Sequence, residues 1–227
     1  MDQTELKRQS AAAAVAEVQD GMVLGLGTGT TAALAVELLG ARVRDGLRIT
    51  GVPTSERTAE QARGLGIPLS GFDRHTSLDL TIDGADEVHT GTLALIKGLG
   101  GALLREKIVA AASRRMTVVV DESKLVPALG GVRLPVEVVA FGHEVTLRRL
   151  RDAGADAALR GGAEDACRTD SGNLIADCAF PGGIPDPAAL HAQLKALVGV
   201  VETGLFIGIA TRVIAGTASG PRILELP

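Results

Sequence analysis

Along the chain, apolar positions fall into short continuous runs that alternate with longer stretches in which they recur every three or four residues. Residues 4–19 are rich in alanine and other helix formers and stop at Asp20 and Gly21, which predicts a first helix closed by glycine. The apolar run 22–26 then enters a glycine-rich turn. Leu34, Leu38 and Leu39 return at helical spacing beyond it, so a strand, a loop and a helix follow in order. The alternation continues with strands over 48–52, 67–69 and 78–82, helices over 55–65 and 103–113, and a β-branched strand over 116–120. This pattern predicts an α/β fold: a Rossmann-like, mostly parallel sheet with helices on both faces.

The texture changes near Leu134. A strand over 134–138, a helix over 143–153, a polar stretch over 160–173 and a strand over 174–180 come next. Asp186 before Pro187 then supplies an N-cap carboxylate and a proline at the first helical position, with Leu190, Leu194 and Leu197 as the buried stripe. The order β, α, β, β, α, β predicts a smaller split-βαβ, ferredoxin-like α+β domain inserted into the first. The expected division is 1–133 with 206–227 as the Rossmann-like domain, its last segment returning to the first sheet, and 134–205 as the inserted one.

Composition narrows the classes of function. With 46% hydrophobic and 22% charged residues the chain reads as soluble and globular, not disordered. No run approaches the roughly 20 apolar residues of a membrane span, and the N-terminus lacks the basic and apolar regions of a secretory signal, so a cytoplasmic location is expected. A net charge of −4, no tryptophan, no tyrosine and four phenylalanines argue against nucleic acid as a partner. Cys167, Cys178, His75, His89, His143 and His191 show no metal-ligand spacing.

Three segments are candidates for chemistry. GLGTGTT at 25–31 lies at a strand-to-helix turn, where glycines let backbone amides approach an anion and Thr28, Thr30 and Thr31 add hydroxyls. A sugar-phosphate site, a structural tight turn and a nicotinamide site all stand as readings. The third is weakened because the dinucleotide fingerprint wants glycine where Thr30 stands and an acidic residue about 20 positions on. DGADE at 83–87 puts Asp83, Asp86 and Glu87 at the carboxyl end of a strand, as substrate ligands, a solvated turn or a magnesium site. KGLGGALLREK at 97–107 sets Lys97 beside a glycine loop. Glu106, three residues after Leu103 and four before Ala110, falls on the apolar helix stripe, as a general base or as a surface partner of Arg105 or Lys107. DESK at 121–124 adds Lys124, a phosphate ligand or a surface lysine.

Together with LPVEV at 134–138, GGIPDP at 182–187 and the segment 199–206, these motifs resemble the ribose-5-phosphate isomerase A family over essentially the whole chain. The resemblance implies interconversion of D-ribose 5-phosphate and D-ribulose 5-phosphate through an enediolate, a reaction of the non-oxidative pentose phosphate pathway, with no metal or organic cofactor. It implies Glu106 as the base that moves a proton between C2 and C1. Asp83 would assist ring opening and move protons between the oxygens, with Gly84, Ala85 and Asp86 in the substrate loop. Lys97 with the amides of Gly98, Leu99 and Gly100 would stabilise the oxyanion. Thr28, Gly29, Thr30 and Thr31 would form the substrate-binding loop, and Lys7 and Lys124 would sit near the phosphate. Leu99 departs from the family, which often has glycine there, so its side chain must point away from substrate or the loop must differ. A homodimer or homotetramer is also implied, with 134–205 as a contact surface.

Rival readings are fewer. A sugar-phosphate sensor that regulates transcription needs a DNA-reading element, and only one helix precedes the first strand. An amino-sugar phosphate isomerase-deaminase or a lactonase would offer a histidine near the base, and the Glu106 segment has none. A nicotinamide-dependent dehydrogenase fails on the fingerprint above.

Overall fold

Asp2 opens the first helix by accepting the Glu5 amide at 2.8 Å, which caps α1 (Gln3–Ala16). In the computed structural model, which describes residues 2–226, the chain divides into two units. The first holds the described residues of Met1–Ala85, Arg105–Leu125 and Gly208–Pro227, and the second holds Asp86–Leu104 and Val126–Ile207.

The first unit is built on six strands: β1 (Val23–Leu26), β2 (Thr50–Pro53), β3 (Leu80–Asp83), β6 (Met116–Asp121), β13 (Arg212–Thr217) and β14 (Gly220–Glu225). Their order is β14-β13-β6-β3-β1-β2, parallel except for the β13–β14 hairpin at the edge. In the C-terminal segment β13 pairs parallel with β6 in this first sheet. Leu24 and Leu26 of β1 pack with α1, α2 (Thr30–Arg44) and Ala62 of α3 (Glu56–Gly64) into one apolar core. On the opposite face Gly25 allows Thr81 and Val109 of α4 (Leu103–Ala111) to come close. A Cβ at Gly25 would sit 2.0 Å from the Thr81 hydroxyl and 2.6 Å from a Val109 methyl. The expected strand at 67–69 is only an isolated parallel bridge between Gly51 and Leu69. Pro68 supplies a carbonyl to Gly51 at 2.8 Å but has no amide with which to extend a ladder.

In the second unit, β8 (Leu134–Val138), α5 (His143–Asp152), β9 (Asp156–Leu159), β10 (Leu174–Ala179), α6 (Pro187–Lys195) and β11 (Val200–Thr203) follow the expected split-βαβ order. The four strands pair antiparallel in the order β11-β8-β10-β9. Asp186 caps α6 through the Ala189 amide at 2.9 Å, with proline at the helix start. This unit also takes in chain outside 134–205. The short strands β4 (Glu87–His89), β5 (Leu95–Ile96) and β7 (Leu125–Val126) join β12 (Leu205–Phe206) in a third sheet of order β12-β5-β4-β7. No helix among the described residues is long and apolar enough to cross a membrane.

Candidate active site

In the first unit the parallel sheet reverses its winding between β1 and β3, where open α/β sheets bind ligands beyond the strand carboxyl ends. β3 ends there on Asp83, whose side chain is fully buried. One of its oxygens, Oδ1, accepts the amides of Thr28 at 3.0 Å and Gly84 at 2.7 Å, which ties the loops after β1 and β3 together. Gly27 makes this possible: a Cβ there would lie 2.2 Å from Asp83 Oδ1 and 2.6 Å from its Cα. Below that contact the Thr28 hydroxyl meets Thr54 at 2.7 Å, Ser55 at 2.8 Å and Thr58 at 3.1 Å. This buried hydroxyl cluster was not singled out from the sequence. Its signal is a Thr-Ser pair just past β2, with Ser55 accepting the Thr58 amide as the N-cap of α3.

Gly29 adopts φ +116° and starts α2 with no side-chain cap, so the positive end of a 15-residue helix is not satisfied by its own N-cap side chain. Lys7 of α1 reaches the same turn, donating from Nζ to Thr30 Oγ1 at 3.1 Å. Thr30 is exposed, whereas Thr31 is buried. Asp121 ends β6 and caps the 3-10 turn Glu122–Lys124 by accepting the Ser123 amide at 3.1 Å, while Gln3 donates to its other oxygen at 3.3 Å. Lys124 closes that turn, half-buried. Glu106, in the first turn of α4, is only 3% exposed and so is not a surface glutamate. Its neighbour Arg105 pairs with Glu56 at 2.8 Å.

The second unit carries Asp86 and the 97–101 loop. Lys97 is 2% exposed, its amide on the Gly204 carbonyl at 2.9 Å and its ammonium 5.5 Å from the Phe206 ring centre, within cation–π range. Gly98 has φ +106°, and a Cβ on it would meet Leu103 at 2.9 Å. Asp86 Oδ2 accepts the Leu99 amide at 2.9 Å, so of the three amides expected to face an oxyanion that one is already engaged. The Leu99 side chain is 45% exposed, and Gly100 is exposed. Glu87 acts locally, accepting the Gly130 and Val132 amides at 2.8 and 2.9 Å. The histidines are dispersed: His89 meets Thr92, His143 the Ala140 carbonyl and His191 Thr203.

The family described as ribose 5-phosphate isomerase A (phosphoriboisomerase A) matches residues 50–220. A protein of Gloeobacter violaceus named ribose-5-phosphate isomerase A is 55% identical over 225 residues, covering 99% of this chain and 97% of its own length. The chain belongs to the ribose-5-phosphate isomerase A family. It therefore interconverts ribose 5-phosphate and ribulose 5-phosphate. Two solved structures agree over the whole length. Ribose 5-phosphate isomerase A from Methanocaldococcus jannaschii superposes with a TM-score of 0.93 at 41% identity, covering 98% of this chain and 99% of that one. A D-ribose-5-phosphate isomerase in complex with phospho-erythronic acid superposes with a TM-score of 0.95 at 39% identity, covering 100% of both chains.

Proposed function

We propose that the isomerisation runs through an enediolate, with Glu106 as the base and without a metal or organic cofactor. The carrying observation is the burial of Glu106 in the first turn of α4, in the unit that also holds Lys7 and the N-terminus of α2, which lacks a side-chain cap. Moving a proton between adjacent carbons needs one base held near both and fixed donors for the charge that appears on oxygen. Glu106 takes the C2 proton of the open-chain aldose, and the electron pair moves onto the C1 carbonyl oxygen. It then returns the proton to C1, leaving the carbonyl at C2.

Asp83 helps open the ring and carries the hydroxyl proton between the two oxygens. Its Oδ1 accepts the Thr28 and Gly84 amides, which fixes the carboxylate in place for this work. Asp86, Gly84 and Ala85 line the substrate loop. Lys97 and the amides of Gly98 and Gly100 balance the oxyanion, while Asp86 holds the Leu99 amide. Residues 28–31, Lys7 and Lys124 take the phosphate, as a helix N-terminus with nearby lysines favours an anion.

The relative bound to phospho-erythronic acid supports this reading. That ligand ends in a planar carboxylate opposite its phosphate and so resembles a planar enediolate. A cytoplasmic enzyme that associates through residues 134–205 as a homodimer or homotetramer completes the proposal. The test follows ketose formation from ribose 5-phosphate in EDTA, for the wild type and Glu106→Gln. Activity in the first and a loss of ~10²- to 10⁴-fold in the second is expected. Equal activity in both, with the variant folded, overturns Glu106 as the base, and inhibition of the wild type by EDTA overturns the cofactor-free reaction.

A further inference from the structure

Arg160 is the first residue after β9, and its backbone is held on both sides: its amide donates to the Ile175 carbonyl at 2.9 Å and its carbonyl accepts the Cys167 amide at 2.9 Å. Its guanidinium meets Asp177 of β10 along one edge, Nε to Oδ2 at 2.9 Å and Nη2 to Oδ1 at 2.5 Å. Only 18% and 21% of the two side chains is exposed. The remaining nitrogen, Nη1, donates to the carbonyls of Gly98 at 3.1 Å and Leu99 at 3.0 Å, 62 and 61 residues away. A planar fork with one edge locked on a carboxylate aims its other donor in a fixed direction.

Successive carbonyls in extended chain point to opposite sides, so their meeting on one nitrogen marks a turn, which the Gly101 amide closes on Gly98 at 3.0 Å. In a trans peptide the N–H points opposite to the C=O. With the Gly98 carbonyl on Arg160, the Leu99 N–H is turned away, to Asp86. With the Leu99 carbonyl on Arg160, the Gly100 N–H must likewise point away from the guanidinium.

We propose that Arg160, braced by Asp177, is a positioning residue of the isomerase: it sets the two peptides of the 98–100 turn and thereby aims the Gly100 amide at the developing oxyanion. Arg160 touches no reacting atom. The proposal rests on the assignment of that loop to the oxyanion.

The test uses the full chain with Arg160→Ala, Arg160→Lys and Asp177→Asn. For Arg160→Ala, kcat falls about 10²-fold, as expected for a misplaced catalytic group, while KM for ribose 5-phosphate changes less than about threefold. The inhibition constant of phospho-erythronic acid rises roughly in step with the fall in kcat, and that of inorganic phosphate stays constant. Arg160→Lys restores part of kcat, since an ammonium replaces the charge but not the fork. A folded Arg160→Ala protein with wild-type kcat, or one in which both inhibitors weaken equally, overturns the proposal. Should Arg160→Ala not fold, wild-type kcat in both Arg160→Lys and Asp177→Asn does the same. Failure of the underlying reading shows separately, in a wild type that forms no ketose or in an active Glu106→Gln.

Discussion

In the first unit the carboxylates Asp83 and Asp121 end neighbouring parallel strands: one oxygen of Asp83 accepts the Thr28 and Gly84 amides, and Asp121 accepts the Ser123 amide beside the Ser123 hydroxyl and the Gln3 side chain. In the second unit Asp177 lies on β10 and Arg160 just after β9, and their side chains hold each other, the guanidinium also reaching carbonyls more than 60 residues away. Carboxylates that end parallel strands sit where such a sheet must place them, at its carboxyl edge. The second unit instead works by bracing a loop. Substitutions in the two units are therefore expected to fail differently: in the first by losing or displacing the reacting group, in the second by loosening donors.

The largest effect is the loss of turnover by ~10²- to 10⁴-fold in Glu106→Gln, read by steady-state kinetics. It sharpens the comparison because the fold should survive, with the melting temperature within a few degrees of wild type. Gly27→Ala comes next. Its Cβ would meet the Asp83 backbone at 2.6 Å as well as its carboxylate, so no rotamer change relieves it. Turnover is expected to drop about 10²-fold, with a stability loss of about 1–3 kcal/mol from overpacking. Gly131→Ala is the matched control in the second unit. Its Cβ would meet only the far end of Glu87, Oε1 at 2.6 Å and Cδ at 3.8 Å. Wild-type turnover in Gly27→Ala, or an equal loss in Gly131→Ala, would erase the distinction. Lys7→Ala is milder: KM rises about tenfold, worth about 1.4 kcal/mol of phosphate binding, with kcat little changed. An unchanged KM would remove Lys7 from the phosphate end.

The difference between the units also explains what could be read from sequence. GLGTGTT and DGADE are legible because glycines and carboxylates at strand ends declare themselves locally, and the Asp186-Pro187 cap does the same for α6. The split-βαβ order was read from apolar runs together with that cap, with no range given for β9. The third sheet was not: β5, β7 and β12 have two residues each, too few for any alternation to register. Nor was Arg160, one arginine in a polar stretch, whose meaning lies in carbonyls from a distant loop. The engagement of the Leu99 amide by Asp86 belongs with it, since the DGADE and KGLGG motifs are separate strings until β4 and β5 pair.

The smallest effect leaves catalysis at neutral pH untouched and reports on the second unit alone, which holds both cysteines, Cys167 exposed and Cys178 buried. Cys178 lies on β10 in the unit's apolar core, and burial, reinforced by the neighbouring Asp177 charge, pushes its thiol up to about 12. The unfolded chain releases that proton near 9.0, so between these values it binds fewer protons than the folded chain. The thiol's contribution is complete below pH 9 and is lost as pH rises towards 12, on the order of 1 kcal/mol of it by pH 10. Urea unfolding at pH 8 and pH 10 should thus show a larger fall for the wild type than for Cys178→Ala, since lysines and arginines titrate alike in both proteins. Equal falls would mean that Cys178 is hydrated in the folded chain, and the dry core that roots Asp177 and Arg160 would no longer account for how the second unit holds its loop.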